Sequence, residues 1–158
     1  MNDIKIKRAG QKSQSGFSLI ELLIIMGVIS ALATFAIIGY NEYMNSASIS
    51  KVNSHYNEAV RLSKAVFMKN QLRAAISGVS SRPKSQQEWI DLFNKSEVIA
   101  PGGGPAFEAS ETGNAATGAI GIQAKDNGSE VIIVRPAYID IVAVSATLTV
   151  NSEVFLTL

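Results

Sequence analysis

The sequence predicts an α+β protein in which a long N-terminal helix packs on a small antiparallel β-sheet. Three features support this fold class. An apolar run covers residues 17–39, an amphipathic pattern with apolar side chains three and four residues apart begins at Ile49, and β-rich segments fill residues 118–158. Because no proline separates the two helical patterns, we expect one helix with a membrane-spanning half and an amphipathic half.

The apolar run is long enough to cross a lipid bilayer. Its 23 residues would form a helix about 35 Å long, against a hydrocarbon core of about 30 Å. Basic residues precede the run, which predicts a cytoplasmic N-terminus and an external C-terminal part. A cleaved secretory signal peptide is the competing interpretation, but its apolar region is usually shorter, about 7–15 residues. Gly27 and Ala31 would also let neighbouring helices approach closely.

One charged side chain, Glu21, lies inside this apolar run. A carboxylate at the centre of a bilayer costs roughly 2.5–3.5 kcal/mol on insertion scales. Because Glu21 lies near one end of the run, one interpretation is that its side chain simply reaches the cytoplasmic interface. The other interpretation is that its charge has a function.

The amphipathic half predicts that the helix continues to about Ser77. Its proposed inner face consists of Ile49, Val52, Tyr56, Ala59, Ser63, Val66, Phe67, Asn70 and Ala74. The segment SGVSSRPK, residues 77–84, then ends the helix with glycine, serines and a proline. A helix over residues 17–77 would be roughly 90 Å long, which suits a membrane-spanning half joined to a half packed under a head.

The remaining sequence predicts a small α+β head. Ser85 and Glu88 have the spacing of a capping box before a short helix over residues 86–94. Residues 100–106 are glycine- and proline-rich and predict a loop. We expect strands within residues 118–124, 131–138, 139–150 and 152–158. Asn127-Gly128 supplies a hairpin turn, and Pro136 predicts a bulge, an edge or a break.

Composition excludes several functional classes. The chain has 14 basic and 13 acidic residues, and without residues 1–16 it would keep 10 and 12, which is not the balance of a nucleic-acid binder. There is no cysteine, so disulfides, thiol nucleophiles and thiolate metal sites are excluded. What orders the C-terminal half must therefore be packing and strand pairing.

Few side chains could carry chemistry. His55, the one histidine, is interpreted as a partly exposed helical residue. Asp126, Asn127, Ser129 and Glu130 offer oxygen ligands for calcium, but they match no EF-hand loop and a polar turn explains them. We therefore expect no enzyme activity, no catalytic residue, no metal site and no cofactor. A single-pass protein with a catalytic or ligand-binding head remains the alternative of a different class.

The segment GFSLIE, residues 16–21, has a basic leader before it and the apolar run after it. This arrangement resembles the start of a type IV prepilin or pseudopilin. In that family a prepilin peptidase cuts after the glycine and methylates the new N-terminal residue. The resemblance implies a cut between Gly16 and Phe17, N-methylation of Phe17, and an assembly role for Glu21 as the fifth mature residue. It covers residues 10–40 closely and the remainder only in architecture.

The charges of the mature N-terminus explain why Glu21 would be useful. Cleavage after Gly16 would create an α-amino group with a reference pKa of about 7.7–8.0, mostly charged at neutral pH. In a staggered stack of helices, Glu21 of one subunit could reach the Phe17 amine of its neighbour and set the register, as the resemblance implies. Many relatives carry glycine at the position of Ser30 and proline at that of Ile38. Because this chain lacks both helix breakers, we expect a more continuous helix.

The resemblance completes the sequence-based expectation of a pilin-like subunit. The expected domains are a cleaved basic leader (1–16), a membrane and filament-core helix (17–40), an amphipathic helix half (41–77) and an α+β head (78–158). The expected function is that of a structural subunit of a type IV pilus, for adhesion, motility or DNA uptake. The alternative is a pseudopilin of a type II secretion or competence system.

The resemblance also implies partners and locations. The partners are further copies in a helical filament, prepilin peptidase, the membrane, an inner-membrane assembly platform and its ATPase. The subunit would be a single-pass inner-membrane protein before assembly and part of an extracellular pilus afterwards, or of a periplasmic pseudopilus. A basic region offers DNA as a further partner, or an acidic surface of the next subunit. It consists of Arg61, Lys64, Lys69, Arg73, Arg82 and Lys84.

Overall fold

The computed structural model describes residues 16–150 and the backbone of residues 154–157. The chain divides into two compact units, one ending at Asn41 and the other covering Glu42–Leu158. Residues 1–15 of the expected leader lie outside the described residues.

Helix α1 covers Leu19–Ser77, 59 residues, which confirms the predicted long helix to within two residues at its start. In the first unit, the helix is unbroken at both Ser30 and Ile38. The Ser30 hydroxyl donates to the Met26 carbonyl at 2.8 Å, and the Thr34 hydroxyl donates to the Ser30 carbonyl at 3.0 Å. These polar side chains are therefore satisfied within the helix itself.

In the second unit, one face of α1 forms part of the core. Its buried residues are Val52, His55, Tyr56, Ala59, Ser63, Phe67 and Asn70. They recur every three or four residues, which is the spacing of a single helix face. Six of these seven positions belong to the predicted inner face, and the exception is His55. The structure also leaves Ala74 of that predicted face exposed.

Helix α2 covers Gln86–Phe93 and confirms the predicted short helix. The Ser85 hydroxyl accepts from the Glu88 N–H at 3.2 Å, as a helix cap should. Glu88 returns a bond, but to the N–H of Lys84 at 2.7 Å and not to that of Ser85. The capping pair is therefore present with its return bond displaced by one residue.

The sheet has five strands in sequence order. They are β1 Phe107–Ala109, β2 Ile120–Lys125, β3 Glu130–Arg135, β4 Val144–Thr149 and β5 Val154–Thr157. Strands β2 to β5 pair antiparallel, as expected, but β1 pairs parallel to β2. The sheet is thus mixed, because the short strand β1, which the sequence did not predict, joins its edge.

The strand boundaries correct the sequence-based expectation at one further place. Strand β3 ends at Arg135, directly before Pro136, which has no N–H for the ladder. Residues 139–143 were expected to begin the next strand, but a tight turn occupies residues 139–140 and β4 begins only at Val144. Tyr138 and Ile141 exchange two backbone hydrogen bonds of 3.1 Å, and Ile139 between them has a φ of 53°.

The predicted Asn127-Gly128 turn is confirmed within a short 3-10 segment, Asp126–Gly128.

The head core lies where α1, α2 and the sheet meet. Aromatic rings form a chain through it: Phe67 contacts Trp89 with ring centroids 5.4 Å apart, Trp89 contacts Phe93 at 5.8 Å, and Phe93 contacts Phe107 at 5.2 Å. Aliphatic residues of β2, β3 and β4 complete the core: Ile120, Ile122, Val131, Ile133, Ala146 and Leu148. These contacts join all three elements in a single packed interior.

Candidate assembly segment

The residues around the expected cleavage point precede the first turn of α1. Residues 16–18 are not helical, and the helix begins at Leu19. Phe17 is 78% exposed, and Gly16 is also exposed. The Gly16–Phe17 bond therefore lies in an exposed, non-helical segment.

Ser18 and Glu21 form a reciprocal cap at the start of α1. The Ser18 hydroxyl accepts from the Ile20 N–H at 3.3 Å, and a Glu21 carboxylate oxygen accepts from the Ser18 N–H at 2.8 Å. The Ser18 carbonyl accepts the first helical hydrogen bond, from the Leu22 N–H at 3.2 Å. Two backbone donors that a helix start leaves unpaired are therefore satisfied by side chains.

This cap gives Glu21 a partner within its own chain. Ser18 and Glu21 have the same spacing as Ser85 and Glu88, so the sequence carries a local signal for this cap. Both residues lie after the expected cut, so the same pair would persist in a mature chain. A carboxylate has about four lone-pair sites, so one hydrogen bond to Ser18 leaves capacity for a second partner. A negative side chain is also favoured beside the positive end of the helix dipole.

The surface of residues 17–41 is almost entirely apolar and uncovered. Every side chain from Phe17 to Asn41 is exposed. Helix α1 contains an 18-residue stretch that is long and apolar enough to cross a membrane by length and composition, and none of this stretch is buried within the chain. Contiguous apolar surface of this kind marks a membrane or protein contact.

The basic region divides into two structural environments. Arg82 is engaged in the head: its guanidinium donates to the Gly128 carbonyl at 3.1 Å and to the Ser129 hydroxyl at 2.8 Å. Arg73 donates to the Ser81 hydroxyl at 2.9 Å. Arg61, Lys64 and Lys69 are exposed on α1.

His55 is buried, so its interpretation as a partly exposed residue is wrong. It is 6% exposed, and its ring centroid lies 6.0 Å from that of Phe107. Burial lowers the pKa of His55, nearby Lys51 lowers it further, and Glu58 opposes the shift. The helical spacing could have placed His55 beside Val52 and Tyr56, but its polar ring favoured an exposed assignment.

No chemical centre accompanies these features in the described part of the chain. Within residues 16–150, no group of three or more His, Asp or Glu side chains is arranged to hold a metal ion. Asp126 and Asn127 lie in the short turn before β3, and the Ser129 hydroxyl is occupied by Arg82. What the described residues offer is an exposed Gly16–Phe17 segment, a capped carboxylate and an uncovered apolar helix.

Comparison with known proteins identifies the N-terminal segment. Residues 11–37 match the family model described as the prokaryotic N-terminal methylation motif. The chain is similar to type IV fimbrial proteins. It is 29% identical over 99 residues, 63% of its length, to a type IV major fimbrial protein FimA of Dichelobacter nodosus. A second protein of that name from the same organism is 47% identical over 38 residues, 24% of this chain.

The chain spans about half the length of the first of these relatives, 54%, and 24% of the second. No solved structure gives a significant match. The resemblance to type IV pilins that the GFSLIE segment indicated is thus confirmed by the motif and by the fimbrial relatives. The pilin-like architecture agrees with it, since a long N-terminal apolar helix is combined with a small α+β head.

Proposed function

We propose that this pilin-like chain is a structural subunit of a type IV pilus and that it assembles through the part of α1 that lies in the first unit. The observation that carries the proposal is the uncovered apolar surface of residues 17–41, with one acidic side chain held at its start. In a bilayer, lipid tails cover that surface before assembly. In a filament, the helices of neighbouring copies cover it instead, and close packing replaces the lipid contacts.

Processing prepares the segment for this exchange. A prepilin peptidase cuts between Gly16 and Phe17 and methylates the new amine of Phe17. Removal of residues 1–16 eliminates four basic side chains, Lys5, Lys7, Arg8 and Lys12, which would hold the N-terminus at the cytoplasmic face. Without these charges, the helix can leave the bilayer along its axis.

Glu21 sets the register of assembly. One carboxylate oxygen accepts from the Ser18 N–H, which fixes the side chain at the start of the helix. The carboxylate then pairs with the Phe17 amine of a neighbouring copy, where low dielectric strengthens the attraction. A misplaced subunit leaves both charges unpaired in an apolar environment, which is costly. An inner-membrane platform and an ATPase supply the work of extraction.

A test of this function replaces Gly16 with a residue that the peptidase cannot accept. In cells that express Gly16→Val, we expect the uncut chain to accumulate in the membrane and surface filaments to be absent. Gly27→Val, which also adds a branched side chain but lies within the helix, should leave the cut intact. Abundant filaments made of the uncut Gly16→Val chain would contradict the proposal.

The second candidate is a pseudopilin of a type II secretion or competence system. The observation behind this candidate is the unbroken helix at Ser30 and Ile38, where many relatives carry glycine and proline. Deletion of the chain separates the two candidates. Loss of surface filaments with normal protein secretion supports a pilus, whereas loss of secretion without any change in surface filaments supports a pseudopilus.

A further inference from the structure

In the second unit, the described residues leave two apolar surfaces exposed. The first, here called the outer stripe, consists of Met68, Leu72 and Ile76 on α1, which are 63%, 65% and 86% exposed. Their spacing of four residues aligns them along one side of the helix. At about 100° per residue, this side lies roughly half a turn from the face that holds Phe67 and Asn70 in the core.

The second surface, here called the knob, is the turn at Tyr138–Val142. Tyr138 and Ile141 pack against the core and exchange two backbone hydrogen bonds, which fix the base of the turn. Ile139 at its tip is 45% exposed, and Val142 beside it is 72% exposed. The knob therefore presents apolar side chains on an anchored support.

The backbone of the knob is strained at Ile139. Ile139 has a φ of 53°, in the left-handed region that β-branched residues rarely adopt. Asparagine or glycine would relieve this strain in a two-residue turn. The chain instead keeps a large apolar side chain there, exposed to solvent. Strained residues of this kind persist mainly at sites of function.

The knob lies beside an earlier part of α1 than the part that carries the outer stripe. Arg135 connects the knob to the helix, because its guanidinium donates to the Val142 carbonyl at 2.9 Å and to the Asn53 side chain at 2.5 Å. Asn53 and Leu72 are 19 residues apart, which is about 28 Å along a helix. One copy cannot bring its own knob to its own stripe over that distance, whereas a second copy displaced along the helix can.

The charges beside the two surfaces are complementary. Asp140 is exposed at the tip of the knob, next to Ile139. Lys69 is exposed beside the outer stripe, and Arg61 and Lys64 lie one to two turns earlier on the same helix. Opposite charges at the rim of an apolar contact favour one register and disfavour others.

We propose that the knob of one copy docks on the outer stripe of the next, which gives the second unit an interface between subunits of its own. Two different surfaces are joined, so the contact is heterologous and repeats without closing when the copies are displaced along a helix. The inference rests on the proposed function, because it names the partner as a second copy within the filament. It assigns Ile139, Val142 and Asp140 to one side and Met68, Leu72, Ile76 and Lys69 to the other.

Introduced cysteines test this contact in whole cells, since the chain has none of its own. The full-length double variant Leu72→Cys with Ile139→Cys should give a ladder of disulfide-linked oligomers after mild oxidation. Each single variant should give none. The matched control is Leu72→Cys with Ile99→Cys, because Ile99 is also an exposed apolar residue, 58% against 45% for Ile139, and lies in a different loop. We expect at least about tenfold less cross-linking in the control.

The outcomes separate the interface from the proposed function. Filaments seen by electron microscopy without the 72–139 ladder would overturn the interface and leave the pilus subunit intact. A ladder in cells without filaments would support the interface and count against the pilus. Dimers from Leu72→Cys alone would also overturn the inference, because they would show stripe packed against stripe.

A charge exchange provides a second measurement that does not depend on disulfide geometry. Asp140→Lys should lower the amount of filament sheared from cells, and Lys69→Asp in the same chain should restore it. Asp91→Lys, an exposed acidic position on α2, serves as the control and should have no effect. If Asp140→Lys behaves like this control, the assigned contact is wrong.

Discussion

The two units of the chain differ in whether their apolar side chains are buried. The second unit encloses Trp89, Ile120, Ile122 and Ile133 with almost no exposure, using contacts made by the chain itself. The first unit leaves every side chain from Phe17 to Asn41 exposed. The second unit therefore has a core of its own, whereas residues 17–41 remain exposed. Under the proposed function, lipid or other copies would cover residues 17–41, so assembly and folding would depend on different residues.

The largest expected effect concerns the carboxylate of the first unit. Glu21→Ala removes both the cap on Ser18 and the proposed charge pair, so we expect sheared filament to fall by about tenfold or more. Folding of the head should be unchanged, because the two units rely on different residues. The measurement is the mass of sheared filament per cell, with the total amount of chain as a reference.

Glu21→Gln separates the cap from the charge. The glutamine side-chain oxygen can still accept from the Ser18 N–H, but it cannot pair with an amine as an ion. We expect this variant to assemble as poorly as Glu21→Ala, while Ser18→Ala, which keeps the charge, should assemble nearly normally. Normal filaments from Glu21→Gln would show that Glu21 acts only as a helix cap.

In the second unit, the largest expected effect on folding is at Gly128. It has a φ of 76°, and a Cβ there would lie 2.0 Å from the Pro83 carbonyl oxygen. Gly128→Ala should therefore destabilise the head by about 3 kcal/mol or more. Denaturant unfolding of the full chain in detergent, followed by the fluorescence of the single, buried Trp89, measures this.

Gly103 is the matched control for this backbone effect. Its φ of 96° is also positive, but a Cβ there meets nothing within 4 Å. Gly103→Ala should cost only the strain of the left-handed backbone, about 1 kcal/mol. Equal losses at both glycines would mean that the close approach of residue 128 to the loop at Pro83 does not contribute.

A smaller effect is expected at the cap of α2. Ser85→Ala removes the hydroxyl that accepts from the Glu88 N–H and should destabilise the head by about 1 kcal/mol. Ser85→Asp keeps an acceptor at the cap and should restore most of that loss. The same Trp89 fluorescence transition reports both variants. A Ser85→Ala transition identical to that of the unaltered chain would contradict the assigned cap.

The smallest effect is a pH dependence that arises from His55. Burial lowers its pKa in the folded chain, so the unfolded chain binds the proton more readily. Stability is therefore full above the reference pKa of about 6.5 and falls as the pH drops below it, by at most about 1.4 kcal/mol per pH unit. In His55→Leu this slope should disappear between pH 7 and 5.5, whereas in Ser54→Ala it should remain. An unchanged slope in His55→Leu would assign the pH dependence to other groups.

The sequence predicts those parts of the structure that depend on residues close together in the chain, and it does not predict those that depend on contacts between distant segments. The long helix, α2, the turn before β3 and the break at Pro136 follow from periodicity and residue chemistry within short windows. Strand β1 could not be predicted, because its three residues pair with β2 across a loop and carry no alternation of their own. The burial of His55 depends on Phe107 lying against it, which is a contact between distant segments. The cap formed by Ser18 and Glu21 could have been predicted from their spacing, but the same residues were interpreted only as part of the cleavage motif.

The most direct test of the central claim is the intact mass of the chain in material sheared from the cell surface, compared with the membrane fraction. The claim is that the exposed helix of the first unit is processed and then covered by further copies. It predicts an abundant sheared species that begins at Phe17 and carries one additional methyl group. A chain found only uncut, with residues 1–16 attached, or a processed species confined to membranes, would contradict an external pilus subunit.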